Sequence, residues 1–500
     1  MATKKRSASR QPRKTAARAA RPSTTVEKVD RVLAPRRGET VSFEVVCRPR
    51  SGAMLTQMMA EMDIETLEQS TPEQRTTHEV AKKLQEMGFR VFVDDASTSV
   101  SAEGPYELFE TAFQTKLRKR GRTLKTGARE QSFEFFDTIQ DAPDPSVVNI
   151  PGALYAAIQR PPIYFQSPLP PPVRYFHLRV PGDVAMLTHA SAAHRRTTPA
   201  GAQATGAGIR VAMLDTGFFV HPWFTMHGYR LNPLLAADAP APPTNDSVGH
   251  GTAEVANIFS CAPDAQVFGV KMGANAVLSF DRAMGIAPRV ISCSWGYHLP
   301  GVPTLPPALV PLRLRILSVV NAGVTVVFAA GNGQVAFPGM MPEVISVGGV
   351  YVDQAMALRA SNYASSFMSL IYAGRRVPDF CGLVGMQPRA TYIMLPLQRG
   401  CSIDVDFGGG PQPNKDETTT NDAWGVISGT SAAAPQVAGL CALLLQKRPT
   451  LTPAQTKAIL RATATDVTVG VSAMGEPAGP GVDRATGSGL VHGLRAWLAA

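Results

Sequence analysis

Three short motifs carry side chains that could together attack a carbonyl carbon. The first is Ser431, which lies in the run Gly-Thr-Ser-Ala-Ala-Ala-Pro (429–435) at the start of a predicted helix continuing to Gln446. Unpaired backbone N–H groups at a helix start can hold a developing oxyanion, so a serine there suits acyl transfer as well as helix capping. Taken alone, this motif is more typical of a cap than of a nucleophile.

An aspartate and a histidine occupy matching positions earlier in the chain. Residues 209–214 have the pattern of a buried parallel strand that delivers Asp215 at its carboxyl end, where open α/β sheets place their chemistry. His250 precedes a second predicted helix (253–260) and is flanked by glycines that permit close backbone approach. Because a serine hydroxyl is a poor nucleophile near neutral pH, His250 would accept its proton, while Asp215 would orient the ring.

The order Asp, His, Ser along the chain differs from the orders of chymotrypsin and of α/β-hydrolases. Together with Ala-Ala-Gly-Asn-Gly (329–333) after the predicted strand 324–328, this order resembles the subtilisin family of serine proteases over about residues 185–497. The resemblance implies an oxyanion hole formed by the side-chain amide of Asn332 and the backbone N–H of Ser431. Losing one such donor costs on the order of 10²- to 10³-fold in turnover.

The same resemblance implies two substrate-binding segments. One segment would pair with the peptide backbone as an added strand, and the other would border the pocket for the residue before the scissile bond. Their residues are, respectively, Ser294, Trp295 and Gly296, and Ala329, Ala330 and Gly331. The expected substrate is a protein or peptide.

The fold class predicted for the chain is α/β, with a doubly wound, mostly parallel sheet of subtilisin type over residues 206–500. A small ferredoxin-like α+β pro-domain is expected over residues 39–160, with a strand at 41–46, a helix opened by Thr71-Pro72 and a further strand at 115–118. Residues 100–104 and 109–113 loosely resemble pro-segments of the sedolisins. The pro-domain would act as an inhibitory partner of the catalytic domain.

The segments on either side of this pro-domain have biased compositions. Residues 1–38 contain twelve Lys or Arg and two acidic residues, which accounts for the whole net charge of +10. This tail predicts disorder, with binding to nucleic acid or an acidic surface as the alternative, and it lacks the apolar centre of a secretion signal. We therefore expect a cytoplasmic protein by default, with no membrane span. Residues 161–205, rich in Pro, Gly and Ala, predict an extended linker, and we expect self-cleavage within about residues 120–200.

The remaining polar candidates have less specific patterns. The six cysteines show no metal-ligand spacing and are interpreted as reduced core thiols, with Cys381 and Cys401 the pair to test if the protein is exported. No cofactor is required, although calcium is common in the resembled family and Asp466 and Asp483 could supply oxygen ligands. Glu254, one helical turn beyond His250, is expected to be an exposed partner of a nearby base.

Other classes of protein remain to be weighed against a serine endopeptidase. An aspartic protease needs two Asp-Thr-Gly motifs, and the chain has one. Sedolisins replace the histidine and asparagine with glutamate and aspartate and work in acid, so the retained His250 and Asn332 predict activity at neutral or alkaline pH. Two alternatives stay open: a peptide ligase, macrocyclase or leader-peptide processing protease that uses the same acyl-enzyme, and an inactive binding protein on a protease scaffold.

Overall fold

The structure, a computed structural model, describes residues 27–52, 62–126, 129–138, 150–164, 177–387, 392–410 and 415–500. Most of the predicted basic tail (1–26) and the proline-rich part of the predicted linker (165–176) lie outside the described residues. Two units follow one another along the described chain. The first ends with the strand at residues 153–158, and the second contains the large parallel sheet.

The N-terminal unit is a four-stranded antiparallel sheet covered by helices, with a small second sheet beside it. Its elements are β1 (Glu27–Leu33), β2 (Thr40–Cys47), α1 (Leu67–Ser70), α2 (Gln74–Glu86), β3 (Arg90–Phe92), β4 (Val100–Pro105), α3 (Tyr106–Ala112), β5 (Leu117–Thr126), β6 (Arg129–Thr138) and β7 (Ala153–Ile158). The strand order β3-β4-β2-β7, with α2 and α3 as crossovers, is the predicted ferredoxin-like order. Phe43, Val80, Leu84 and Phe109 form the centre of its core.

Two details of this unit correct the sequence prediction. The fourth strand of the ferredoxin-like sheet is β7, whereas the segment predicted for it, 115–118, leads into β5 of the second sheet. That second sheet pairs β5 with β6 and with β1, so residues 27–33 are a strand and the prediction of a disordered tail over all of 1–38 is wrong there. Periodicity identifies a strand but not its partner, which only long-range pairing decides.

The second unit contains the remaining helices and strands of the described chain. They are β8 (Ile163–Tyr164), β9 (Leu178–Arg179), α4 (Gly182–Leu187), α5 (Ala190–His194), β10 (Arg210–Asp215), α6 (Pro222–Met226), β11 (Arg230–Leu235), α7 (His250–Cys261), β12 (Gln266–Lys271), α8 (Ala276–Met284), β13 (Val290–Cys293), β14 (Trp295–His298), α9 (Val310–Asn321), β15 (Thr325–Ala329), β16 (Ala336–Phe337), β17 (Ile345–Val352), β18 (Leu358–Ala360), β19 (Phe367–Met368), β20 (Arg376–Val377), β21 (Phe380–Leu383), β22 (Ile393–Pro396), α10 (Ser402–Phe407), β23 (Trp424–Ile427), α11 (Thr430–Lys447), α12 (Pro453–Thr463) and α13 (Gly493–Ala499).

The main sheet has the order β11-β12-β10-β13-β15-β17, with every neighbouring pair parallel. β17 also pairs in parallel with β21 and antiparallel with β18. Alternate residues of β10 enter different cores: Val211 and Met213 join the core that contains α7 and α11, whereas Ala212 and Leu214 join the core that contains α8 and α9. Helices therefore cover both faces of the sheet, which confirms the predicted doubly wound α/β class.

The prediction of an extended linker over 161–205 is wrong for residues 178–205. This stretch contains β9, which pairs in parallel with β22, and the helices α4 and α5. Val184, Leu187, Ala190 and Ala193 are buried in the core shared with α7 and α11. The prolines and the arginine pair suggested an open chain, but the apolar residues between them recur at helical spacing and are buried together.

Two further predictions concern the interior and the surface. The six cysteines are buried and form no disulfide with one another in the structure, as expected for core thiols. Among the residues that the structure describes, no helix is long and apolar enough to cross a membrane.

Helices α7 and α11 pack closely against each other because a glycine lies at their contact. A Cβ atom at Gly439 of α11 would lie 2.7 Å from both the Cβ of Cys261 and the carbonyl oxygen of Ile258 on α7. This distance is shorter than a normal van der Waals contact, so only glycine fits without separating the helices. The two helices begin with Thr430 and His250, so their separation sets the distance between two of the motifs singled out above.

We expect Gly439→Ala to lower the free energy of unfolding by about 1–3 kcal/mol through overpacking, although alanine is the better helix former. Urea denaturation would measure the change. Gly182→Ala is the matched control, because Gly182 begins α4 and a Cβ there meets nothing within 4 Å. A Gly439→Ala protein as stable as the unmodified chain would contradict the packing described for α7 and α11.

Candidate active site

Asp215 and His250 are hydrogen-bonded partners at the edge of the main sheet. Asp215 ends β10, and His250 is the first residue of α7. The Nδ1 atom of His250 lies 2.7 Å from Oδ1 of Asp215, and both residues are buried, with 1% and 0% of their surface exposed. Gly251 makes this approach possible, because a side chain there would collide with the carbonyl oxygen of Gly217. The pair can therefore orient and charge-stabilise an imidazole.

A second buried carboxylate, Asp246, fixes the two segments that carry this pair. Its Oδ1 accepts hydrogen bonds from the Thr216 hydroxyl at 2.7 Å and from the backbone N–H of Gly249 at 2.9 Å. Its Oδ2 accepts from the backbone and the hydroxyl of Thr252 at 2.8 and 2.7 Å. Burial raises the pKa of Asp246, while these donors oppose the rise. Asp246 was not among the residues predicted from the sequence, although an aspartate just before a helix start is a capping signal.

Ser431 reaches the same edge through the strand next to β10. Leu214 of β10 is in register with Cys293 of β13, so Asp215 and Ser294 follow side by side. The Ser431 hydroxyl donates to the carbonyl oxygen of Ser294 at 3.3 Å, and the Ser294 hydroxyl donates to the carbonyl oxygen of Ser431 at 2.8 Å. Ser431 lies in the first turn of α11, which packs on α7. The three predicted catalytic residues are therefore brought to one edge of the sheet.

Asn332 lies beside the start of α11 with its amide oriented by hydrogen bonds. It follows β15, the strand next to β13. The backbone N–H and the hydroxyl of Thr430 both donate to Oδ1 of Asn332, at 2.9 and 3.1 Å. A Cβ at Gly429 would lie 2.7 Å from Nδ2, so the amide donor is adjacent to the backbone that leads into Ser431. This orientation presents an N–H donor next to the serine, as an oxyanion hole requires.

The predicted substrate-binding segments lie at the same edge but differ in what their side chains do. The Trp295 side chain is buried and its Nε1 donates to the carbonyl oxygen of Leu214 at 2.9 Å, so only its backbone can receive a peptide. That backbone is already paired: Trp295 and Gly296 of β14 lie opposite Tyr164 and Ile163 of β8 in antiparallel register. Ala329, Ala330 and Gly331 are buried at the end of β15.

Comparison with known proteins identifies the family. The model of the subtilase family of peptidases matches residues 206–489, which is more than half of the chain. The chain belongs to the subtilase family. The matched range contains the subtilisin-like serine protease motifs around Asp215, His250, Asn332 and Ser431.

Individual relatives of this subtilase are similar at low identity. The alkaline protease of Alkalihalobacillus alcalophilus is 27% identical over 299 residues, which cover 56% of the chain and 63% of that protein. Subtilisin Savinase of Lederbergia lenta is 27% identical over 299 residues, covering 56% of the chain and 89% of that protein. The chain thus spans less than two thirds of the alkaline protease. Fervidolysin of Fervidobacterium pennivorans, a keratinolytic enzyme related to subtilisin, shares the fold with a TM-score of 0.56 at 18% identity, over 93% of the chain and 62% of fervidolysin.

Glu254 of this subtilase is not the exposed residue that the sequence predicted. Only 2% of its surface is exposed, and its Oε1 lies 4.0 Å from Nε2 of His250. The prediction was wrong because one helical turn places residues 250 and 254 on the same face of α7, and that whole helix is buried.

The charges around His250 favour its protonated form. Burial alone would lower the pKa of the imidazole, but the charge and hydrogen bond of Asp215, followed by the charges of Glu254 and Asp246, raise it to about 9. A raised histidine pKa stabilises the folded chain below the unfolded value near 6.5, and this contribution is lost as the pH rises through about 9. A neutral imidazole that can accept a proton therefore predominates only at alkaline pH.

The two aspartates proposed for calcium are used by the backbone instead. Asp466 accepts from the N–H of Gly481 at 2.9 Å, and Asp483 accepts from the N–H groups of Thr486 and Gly479 at 2.7 and 3.0 Å. Within the described ranges, no three His, Cys, Asp or Glu side chains are grouped to hold a metal ion. The hydrogen bonds of Asp466 and Asp483 stabilise turns near the carboxyl end of the chain.

We expect Asp215→Asn to lower the pKa of His250 from about 9, because the substitution removes the carboxylate that opposes the effect of burial most strongly. NMR titration of ¹⁵N-labelled histidine, with the resonance assigned by His250→Gln, would measure it. An unchanged His250 pKa would show that the hydrogen bond does not set the charge of the ring.

Proposed function

We propose that this subtilase is a serine endopeptidase that hydrolyses peptide bonds through an acyl-enzyme, with Asp215, His250 and Ser431 as the catalytic triad. The observation that carries the proposal is the shared sheet edge. His250 is hydrogen-bonded to Asp215, and Ser431 is hydrogen-bonded to Ser294, which lies beside Asp215 on the neighbouring strand. Asn332, oriented by Thr430, supplies an oxyanion donor at the same place. Family membership over residues 206–489 supports the same reaction.

The geometry assigns a role to each group in the reaction. Ser431 Oγ attacks the carbonyl carbon of the peptide while His250 takes the hydroxyl proton, and Asp215 stabilises the imidazolium that forms. The negative oxygen of the tetrahedral intermediate is held by the amide of Asn332 and the backbone N–H of Ser431. His250 then donates its proton to the leaving amine, and water repeats the sequence on the acyl-enzyme.

We further propose that the chain is made as an autoinhibited precursor whose N-terminal unit acts as a pro-domain. β8 follows β7 by a few residues and pairs with Trp295 and Gly296, the backbone that the sequence predicts for substrate. A substrate peptide cannot pair with that edge of β14 while β8 occupies it. His250, Asn332 and Ser431 are each 1% exposed in the full chain, which also supports a blocked site.

Contacts between the two units support this inhibitory arrangement. Glu44 of β2 is fully buried and accepts a hydrogen bond at 2.6 Å from the side chain of Asn275, which caps α8 of the catalytic unit. The Tyr155 hydroxyl of β7 donates to the carbonyl oxygen of Pro307 at 3.0 Å. The sheet of the N-terminal unit therefore rests on the elements next to β14, and its carboxyl end leads directly into β8.

The direction of β8 indicates where along the chain the proposed self-cleavage would occur. The chain runs from Ile163 opposite Gly296 to Tyr164 opposite Trp295, so it advances toward Ser294, to which the Ser431 hydroxyl donates. A substrate in this register would present its scissile bond to Ser431 shortly after the residue opposite Trp295. We therefore propose cleavage a few residues beyond Tyr164, inside the range of 120–200 expected from the sequence.

We expect a fluorophosphonate probe to label the processed protein and not Ser431→Ala, and we expect peptide hydrolysis to fall by several orders of magnitude in that variant. Ser428→Ala is a control in the same loop, since its hydroxyl donates to or accepts from neighbours outside the triad. An unlabelled, correctly folded protein would instead support the inactive binding protein. Products that incorporate an added amine in mass spectra would support the ligase.

Self-processing predicts a difference in mass between two preparations. Purified unmodified chain should lose the N-terminal unit, with a new amino terminus shortly after Tyr164, whereas Ser431→Ala should keep the full-length mass. Intact-mass measurement and N-terminal sequencing would establish both. Active protein that retains the full-length mass would contradict the precursor, and cleavage of Ser431→Ala would show that another protease cuts the chain.

A further inference from the structure

Glu254 is a buried carboxylate beside the catalytic imidazole that the reaction scheme above does not use. It lies one turn after His250 on α7, with its Oε1 4.0 Å from Nε2, the ring atom on the opposite side from Asp215. The exposed fraction of Glu254 is 2%, so little water shields the two groups from each other. At this separation an ionised carboxylate stabilises an adjacent imidazolium substantially.

A chain of buried amides holds the Glu254 carboxylate in place. Its Oε2 accepts from Nδ2 of Asn257 at 3.1 Å, and Oδ1 of Asn257 accepts from Nε2 of Gln436 at 3.3 Å. Gln436 lies on α11 and is bonded to both the backbone N–H and the carbonyl oxygen of Leu383, at 2.8 and 3.2 Å. This chain joins the His250 helix to the Ser431 helix and to the main sheet. Glu254 therefore cannot rotate away from the ring without breaking this chain of hydrogen bonds.

The ionisable groups that face His250 come from three packed elements. Asp215 comes from β10, Glu254 from α7 itself, and Asp246 from the loop before α7. Cys401 contacts the same helix start, since it packs against Gly249, and burial raises the pKa of its thiol to about 12. Burial likewise raises the pKa of Glu254 to about 8, the charge of His250 opposing that rise and the charge of Asp215 adding to it. The charges of Glu254 and His250 are therefore coupled, each acting on the pKa of the other.

We infer that Glu254 is a positioning residue that acts through His250, as a second carboxylate that stabilises the imidazolium from its Nε2 side. This inference rests on the proposed triad. When Glu254 is ionised it favours the protonated ring. His250 then loses its proton, and becomes a neutral base, only at higher pH. During attack by Ser431 the same charge stabilises the imidazolium as it forms. The residue therefore shifts activity toward alkaline pH and raises the maximal rate there.

The test is the pH profile of Glu254→Gln, which keeps the size of the side chain and an acceptor for Asn257. We expect the pKa of the acidic limb of kcat/KM to fall by about one unit, so the ratio of the rate at alkaline pH to the rate at pH 7 falls about tenfold. Asp264→Asn, which removes an exposed carboxylate just beyond the far end of α7, is the matched control and should leave the profile unchanged. A lower rate without a shift of the limb would mean a merely structural role and would overturn the inference.

A second measurement separates this inference from the proposed reaction. In the Ser431→Ala background no turnover is needed, and NMR titration of His250 should give a lower pKa when Glu254→Gln is added. Asn257→Leu should shift the pKa of His250 in the same direction by less, because the carboxylate loses a donor that favours its ionised form. An unchanged titration overturns the role of Glu254 whether or not the chain hydrolyses peptides. Absence of hydrolysis with a shifted titration overturns only the proposed reaction.

Discussion

The hydrogen bond between Asp215 and His250 joins two distant segments of the chain and pairs a buried carboxylate with the imidazole. A carboxylate with none of its surface exposed is costly unless it is paired and hydrogen-bonded. Three features make this pairing possible. The end of β10 supplies the carboxylate, and Gly251 permits α7 to approach it. Asp246 accepts hydrogen bonds from both segments, at Thr216 and at Thr252. The location of Ser431 follows, because Ser294 is the neighbour of Asp215 in the sheet and holds the serine by two hydrogen bonds.

The same edge of the sheet is where the proposed inhibition of the catalytic unit by the N-terminal unit would take place. The backbone of Trp295 and Gly296 can pair with an extended peptide whatever its side chains, and β8 is a segment of the same chain that pairs with it. Contacts such as Glu44 with Asn275 hold the ferredoxin-like sheet in the position from which β8 emerges. Burial raises the pKa of Glu44 to about 7 while three donors oppose the rise, so this contact between the units carries an ionisable group near neutral pH.

The three buried carboxylates around His250 each contact a different group. Asp215 holds the ring at Nδ1, Asp246 satisfies the backbone at the helix start, and Glu254 lies near Nε2. The other donors to Asp246 and Glu254 are backbone groups and hydroxyls of glycine and threonine residues and the side-chain amide of Asn257. The combined negative charge of the three carboxylates raises the pKa of His250 to about 9, against the effect of burial. This excess of buried carboxylates makes the alkaline range the one in which the imidazole can act as a base.

Strand periodicity was enough to predict the doubly wound α/β class. The resemblance of four motifs was enough to predict the family and to propose Asp215, His250, Asn332 and Ser431 as site residues, because each motif is local and its chemistry depends on residue type. The strand partners could not be predicted in this way: residues 115–118 were assigned to the ferredoxin-like sheet, but only the packed sheets decide that β7 completes its order. The burial of individual side chains could not be predicted from the sequence either. Glu254 belongs to a helix that is buried on all sides, and the helices at 182–194 pack into a core built from distant segments. Residue type and spacing thus determined which groups are present, whereas long-range packing determined their partners, their exposure and hence their charge.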